Sequence, residues 1–329
     1  MKIFRPLSLL LLILAACHTK GTNGSFAELL NKPPYDEWTK RIQAQPDNDS
    51  LYYQRARLLM INEQDSAARL DLEKAWSLHH NPVYAVELSL LLENTPVEQL
   101  AFLQKAVTIV PGNLAIEYAL ADAHWQNGSI DSALRYTTRW YATGIREVDP
   151  ILLHASLLYQ KGKTNEATEI LSLLLKDHPD DQQILRQLTA WYAEMGNPLT
   201  VTYCNALRAT DTLGNDPTPY YYLGIYYTTL KQSAEAIRQF DQAIVTDYNF
   251  VEAYIEKAVL LYEMKNYKES VGLLDKALAV APDYASVYYW TAKCQQALGD
   301  KESARSNYLK AYGLDKSFQE AKQAADELK

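Results

Sequence analysis

One interval governs this sequence. Small residues recur every 34 positions through its second half, at Gly224, Ala258 and Ala292, at Ala236, Ser270 and Ala304, and at Ala243, Ala277 and Ala311. Large residues keep the same step in Tyr220, Tyr254 and Tyr288 and in Phe240, Leu274 and Tyr308. The phase runs backwards too: Ala121 to Ala155, Ala133 to Ala167, and Gly128 to Gly162 to Gly196 are steps of 34. Five columns in register describe one supersecondary unit used repeatedly. A unit of this size cannot cover its own apolar face, so neighbours must stack and share a continuous core.

Each unit reads as two helices. In 251–284, Tyr254, Ala258 and Leu261 fall on one face at i, i+4 and i+7, and a break follows at Lys265-Asn266. Ser270, Leu273, Leu274, Ala277 and Leu278 then form a second apolar stripe, which Ala281-Pro282-Asp283 ends because proline cannot continue the preceding helix. Pro111 and Pro179 hold comparable places, and Gly128, Gly162, Gly196 and Gly299 suit the left-handed exit of a first helix. With Gly 12 and Pro 13 in 329 residues, the chain has little material for tight β-turns and favours helix throughout. The small columns have a mechanical task, since two antiparallel helices approach closely only where the crossing residues are small. Gly224 or Ala258 would face Ala236 or Ser270 across such a crossing, while Ala243 and Ala277 would meet the next unit's first helix.

In period, small-residue columns and terminal proline the chain closely resembles the tetratricopeptide repeat family. The pattern carried by 217–250 is Tyr220, Leu223-Gly224, Tyr227, Ala236, Phe240 and Ala243. The resemblance implies an all-α fold, an α-solenoid of about eight helical hairpins at 49–82, 83–113, 114–147, 148–181, 182–216, 217–250, 251–284 and 285–318. These cover 270 residues, most of the chain. Residues 35–46 are expected to form a solitary helix over the first hairpin, and polar 319–329 a capping helix at the far end, the solenoid running 35–329. Two units depart from the pattern. The second is short, with Pro96 opening its second helix and Glu87 where a small residue is expected. The fifth is long, and its second helix, 198–209, lacks a clear small-residue column. Irregular joints are expected near Asn94–Pro96 and Thr210–Pro217.

What the resemblance implies about function is recognition, with an extended peptide, a helix or a partner's surface lying in a groove lined by the first helices. Helical phase places Tyr53, Arg57, Tyr118, Asp122, Trp125, Tyr159, Tyr221, Tyr222, Ile225, Glu252, Tyr262, Glu263, Tyr289 and Lys293 on that lining. Tyr and Trp offer large contact area with a polar tip, as interface anchors do. The competing reading of each aromatic is ordinary packing between repeats. A subset of the family grips a C-terminal carboxylate with Lys, Asn and Arg spread over three units. Here Arg57, Arg186 and Lys293 stand apart from one another, which argues against such a clamp.

The first residues carry an address. Lys2 and Arg5 precede the apolar run Leu7–Ile13 and then Leu14-Ala15-Ala16-Cys17. The apolar stretch is too short to span a bilayer, which needs about 20 residues, and reads as a secretory leader. A cysteine directly after two small residues resembles the bacterial lipoprotein signal, which implies cleavage of 1–16 and a lipid on the Cys17 thiol. The alternative is an ordinary leader with a chance cysteine. Removing 1–16 takes two basic residues and leaves a net charge of −10, where the full chain has −8. His18 in place of Asp at the next position favours, by resemblance to enterobacterial sorting, the outer membrane, with the periplasmic side as the expected orientation. Residues 17–34 are polar and Gly-containing and are expected to act as a lipidated flexible tether. Only Cys204 and Cys294 remain, ninety residues apart within apolar helical stretches, and they read as small buried hydrophobes rather than a disulfide framework.

No motif for nucleotide binding, nucleophilic catalysis or zinc is present, so an enzyme is not expected. His79-His80 point about 100° apart on a helix, and His124 and His154 lack the further ligands a metal needs. No cofactor or metal is expected beyond the covalent lipid, and the acidic balance argues against nucleic acid. The expected role is a membrane-anchored scaffold binding an envelope protein or peptide. A glycan-binding lipoprotein of an outer-membrane uptake system is the alternative. The units follow one another without long insertions, which argues against it.

Overall fold

Residues 22–328 are described by a computed structural model in which every regular element is a helix, 19 of them, with no strand among the described residues. The helix α1 spans Thr22–Leu30 and α2 Asp36–Ala44. Eight pairs follow, each a first and a second helix: α3 Asp49–Ile61 and α4 Asp65–Leu78; α5 Pro82–Leu91 and α6 Pro96–Ile109; α7 Leu114–Gln126 and α8 Ile130–Ala142; α9 Val148–Gln160 and α10 Thr164–Asp177. The remaining pairs are α11 Gln182–Glu194 and α12 Leu199–Thr210; α13 Thr218–Thr229 and α14 Ser233–Thr246; α15 Val251–Glu263 and α16 Tyr267–Val280; α17 Ala285–Ala297 and α18 Lys301–Leu314. The last helix, α19, spans Gln319–Glu327. The leader expected at 1–16, and Cys17, lie outside the described residues.

The expected tether at 17–34 needs correction over its second half. Residues 22–30 are helical, and Phe26, Leu29 and Leu30 pack against the core of the first hairpin formed by Leu59, Ala67, Ala68 and Leu72. Apolar residues at 26, 29 and 30 follow helical spacing, and burying them outweighs the cost of ordering a polar, glycine-containing segment.

The small columns do what close approach demands. The Ser270 hydroxyl donates to the Ala258 carbonyl at 2.8 Å, directly across the α15/α16 crossing. Cys294 Sγ lies 3.2 Å from Ser270 Oγ, which brings α17 onto the same point. The short second unit and the long fifth one also keep their small residues, in a shifted phase. The place assigned to Glu87 is taken by Ser89, 2% exposed, whose carbonyl accepts from Gln99 Nε2. In α11 and α12 the crossing residues are Thr189 and Thr200, both fully buried. Each threonine hydroxyl turns back onto a carbonyl of its own segment, Leu185 and Asn197, and so leaves no polar atom unpaired.

Seven of the eight hairpin turns use one left-handed residue, the α5/α6 turn being the exception. Gly128, Gly162, Gly196 and Gly299 have positive φ at the end of a first helix, and Glu63, Lys231 and Lys265 adopt the same conformation at the same place in their own units. The abundance of tyrosine also finds a reason. The hydroxyls of Tyr52, Tyr254 and Tyr288 donate to the carbonyls of Pro46, Tyr248 and Pro282, six residues back, at 3.0, 3.1 and 2.7 Å. A phenylalanine would fill the same space but would leave the start of each first helix untied from the preceding turn.

The chain divides into two compact units within α8, at Arg139 and Trp140. In the first, a buried bidentate pair joins Arg55 of α3 to Asp71 of α4, with both bonds at 2.7 Å. The third arm of the guanidinium donates to Thr39 of α2 at 2.8 Å, which fixes the leading helix on the first hairpin. Breaking a buried pair of this kind by removing one partner costs about 3–5 kcal/mol. In the second unit, α19 seats Ala321 and Ala325 against Tyr288, Tyr308 and Ala311, closing the apolar end of α17 and α18. Cys204 and Cys294 are fully buried, and burial pushes the Cys204 thiol up to about 12, as its place among apolar side chains requires.

Candidate partner-binding faces

The first helices of each unit carry the side chains that the cores do not consume. In the first unit, Tyr53 of α3 lies 4.8 Å ring to ring from Tyr84 of α5, and its hydroxyl donates to Glu87 Oε1 at 2.8 Å. The second oxygen of Glu87 is buried without a hydrogen-bond partner among the described residues. Arg57, one turn on from Tyr53, is exposed. On α7, Tyr118, Asp122 and Trp125 are half-buried. Asp122 accepts from Gln126 at 2.7 Å, yet burial, with Glu93 adding, holds its carboxyl above the ordinary aspartate range.

In the second unit a ladder of tyrosine–glutamate bonds links successive elements. Tyr159 of α9 stacks on Trp191 of α11 with ring centres 4.4 Å apart and planes nearly parallel, and its hydroxyl donates to Glu194 at 2.7 Å. Tyr284 donates to Glu252 of α15 at 3.1 Å, and Tyr289 of α17 to Glu320 of α19 at 3.2 Å. Arg186 of α11 is held by Asp216 at 2.8 Å and by the Thr218 hydroxyl at the start of α13. Tyr221 meets Tyr222 and Phe250 edge to face, at 5.3 Å each. Burial first, then the charges of Glu256 and Glu252, raise its phenol well above the usual range.

Two half-buried charged side chains on this face make no hydrogen bond or ion pair among the described residues. Glu256 is half-buried, and desolvation, with Glu263 adding, raises its carboxyl. Lys293 Nζ lies over three rings, Trp290 at 4.7 Å, Tyr289 at 5.5 Å and Tyr262 at 5.6 Å.

A family model described as tetratricopeptide repeat matches residues 255–317, which include most of α15 and all of α16 to α18. That stretch of the chain carries the tetratricopeptide repeat. The fold of the chain is similar to the crystal structure of a tetratricopeptide repeat protein from Parabacteroides merdae, with a TM-score of 0.59 and 18% identity over 74% of this chain and 98% of that one. It is also similar to the crystal structure of the APC/C hetero-tetramer Cut9–Hcn1, with a TM-score of 0.50 and 13% identity over 89% of this chain and 58% of that one. At these identities the likeness speaks for the fold alone. No curated protein matches the sequence.

Of the residues expected on the repeats' inner lining, Tyr53, Tyr118, Asp122, Trp125, Tyr159, Tyr221, Tyr222, Ile225, Glu252, Tyr262, Tyr289 and Lys293 are half-buried, and Arg57 and Glu263 are exposed. Tyr262, Tyr289 and Lys293 meet in one cluster, and Tyr221 and Tyr222 form another. Ile225 joins the apolar packing beside Phe240. The separation of Arg57, Arg186 and Lys293 is deepened by chemistry, because Arg186 is already paired with Asp216. Sequence reading overlooked Glu256 and Trp290, although the period itself points to them: Tyr222, Glu256 and Trp290 stand 34 apart and share one register position.

A separate cavity of about 390 Å³ opens between α4 and α6 in the first unit. Trp76, Leu88, Leu92, Phe102, Ala106 and Ile109 line it, and Arg69, tied to Glu73 and Glu98, borders it. It lies where the short helix α5, of 10 residues, packs loosely against α6.

Proposed function

We propose that this chain is a non-enzymatic scaffold that captures a protein segment on the first-helix faces of its repeats while a lipid on Cys17 holds it at the outer membrane of a diderm bacterium. One observation carries the binding half of the reading. The first helices bear half-buried aromatic and charged side chains, among them Tyr221, Tyr222, Trp290, Glu256 and Lys293. The crossings beneath are filled by buried small residues, leucines and the rings of Phe240 and Tyr308. Large aromatic groups with polar tips, held by neighbours and open on one side, are the composition of interface anchors. The anchoring half rests on Lys2, Arg5, the apolar run to Ile13 and Ala15-Ala16-Cys17. The net charge of −8 speaks against nucleic acid as the partner.

Crosslinking in intact cells, followed by mass spectrometry of the purified protein, tests the first half. A reproducible protein partner crosslinked to α11, α13, α15 or α17 supports the reading, and recovery of lipids and self-contacts alone overturns it. Fractionation tests the second half. Cys17→Ser should abolish incorporation of labelled fatty acid and move the protein to the soluble fraction. Membrane retention of that variant would refute the anchor.

A further inference from the structure

Most of the charges that the second unit partly buries have an ion pair or a hydrogen bond among the described residues. Lys257, on α15, reaches Asp241 at 2.6 Å, and Arg186 is held by Asp216. Glu256 and Lys293 are the departures on the first-helix face. Glu256 makes no hydrogen bond or ion pair with any described residue. Lys293 makes none either, and the three rings around it supply electrostatic attraction but no lone pair for its N–H groups. They do not serve one another. Their helices pack directly, α15 on α17, yet the charge that bears on Glu256 is that of Glu263 on its own helix and not that of Lys293.

A part-buried charge without a counter-charge is unfavourable, and the cost falls when a partner brings the opposite sign. Here two such sites of opposite sign stand on adjacent first helices, each against aromatic surface. Packed helices lie about 8–10 Å apart. An extended or polyproline segment rises about 3.1–3.4 Å per residue, so roughly three residues bridge the two sites. Resting on the proposed role of this face in partner binding, we infer that α13, α15 and α17 form a subsite for an extended peptide segment carrying a basic side chain and, two to four residues away, an acidic group. The basic group meets Glu256 beside Tyr221, and the acidic group meets Lys293 in its ring of Trp290, Tyr289 and Tyr262. A uniformly acidic or uniformly basic segment satisfies one site and is repelled by the other, so the pair selects for charge order as well as for charge. The three rings around Lys293 hold its ammonium in place.

The test is peptide display against the immobilised full-length protein, using a random 12-residue library, with Glu256→Gln and Lys293→Met as parallel baits. Wild type should enrich sequences with Lys or Arg two to four residues from Asp or Glu. Glu256→Gln should lose the basic preference alone, and Lys293→Met the acidic preference alone. A recovered peptide should bind wild type at least ten-fold less well when its acid is changed to the amide. The same change should make no difference on Lys293→Met. Enrichment without charge pairing, or identical sequences from all three baits, overturns the subsite while leaving the binding face intact. If nothing is enriched, or if Tyr222→Ala binds every recovered peptide as wild type does, the face itself is not the binding surface and both readings fall. Both test variants are near-isosteric and face outward, and unchanged helical circular dichroism confirms that each bait is folded.

Discussion

A β-carbon on Gly224 would lie 2.3 Å from Cε1 and 2.5 Å from Cδ1 of Phe240, whose side chain is fully buried. The ring has nowhere to retreat, so Gly224→Ala should destabilise the protein by about 1–3 kcal/mol, the usual range for overpacking. Gly272 supplies the control. It sits within α16 with nothing within 4 Å of the added carbon, and Gly272→Ala should stabilise by about 0.5–1 kcal/mol through the reduced freedom of the unfolded chain. Thermal melts of the two variants should therefore move in opposite directions. Equal shifts would mean that the α13/α14 crossing is not where it is drawn. Glu256 makes a pH prediction of the same kind. Its folded-state pKa is raised above the ordinary 4.5, mainly by desolvation, so the folded state binds that proton more tightly than the unfolded chain. The favourable contribution is complete below about pH 4.5 and is lost as pH rises through the folded-state value. Glu256→Gln should therefore match or exceed wild-type stability at neutral pH, and the difference should close on acidification. A gain that persists at pH 3.5 would show that the carboxylate's desolvation is not its source.

At the scale of the element, seven first helices end on a residue in the left-handed region, and three of the seven are not glycine: Glu63, Lys231 and Lys265, at φ of 57°, 60° and 63°. A side chain there costs roughly 1 kcal/mol against glycine. Lys231→Gly and Lys265→Gly should each raise the melting temperature by a few degrees, while Gly162→Lys should lower it. A fall in both glycine variants would show that the lysine side chains contribute more than the backbone strain removes. These turns were legible in the sequence where glycine marked them and illegible where lysine or glutamate did, because composition reports the usual occupant and not the conformation. The small-residue columns behaved alike. Ala and Gly at intervals of 34 announced the crossings of the later units, whereas Ser89, Thr189 and Thr200 escaped notice. The short second unit shifts the phase, and a β-branched hydroxyl residue counts as small only when its oxygen is satisfied internally. The pairing of Arg55 with Asp71, and the docking of Thr39 on that pair, had no periodic signal at all, since it joins positions that only the folded hairpin brings together. The binding face was half legible. Aromatic residues could be placed on it, but Glu256 and Lys293 were indistinguishable from solvated charges until their burial and missing partners were known.

For the whole molecule, stacking has an energetic consequence that single-core proteins do not share. Within each compact unit the hairpins pack on their sequence neighbours, so stability there is close to a sum of local terms and nearest-neighbour interfaces, and damage should stay local. Ala277 offers the cleanest test within the second unit. It is fully buried where α16 meets α17, among Val287, Leu274 and Cys294. Ala277→Leu should cost about 1–3 kcal/mol at that interface, whereas Lys268→Leu, on the exposed side of the same helix, should cost little. Amide hydrogen exchange distinguishes local from global loss. The Ala277→Leu variant should lose protection in α15 through α18 and keep wild-type protection in α9 and α10, three hairpins earlier in the same compact unit. Loss of protection across all of these helices together would mean that the unit melts as one cooperative block. A segment bound across α13, α15 and α17 would then be able to stiffen elements it never touches. If protection is lost only next to the mutation, the consequence of binding is equally local: a captured segment reinforces the repeats beneath it and leaves the remaining hairpins free to hold something else.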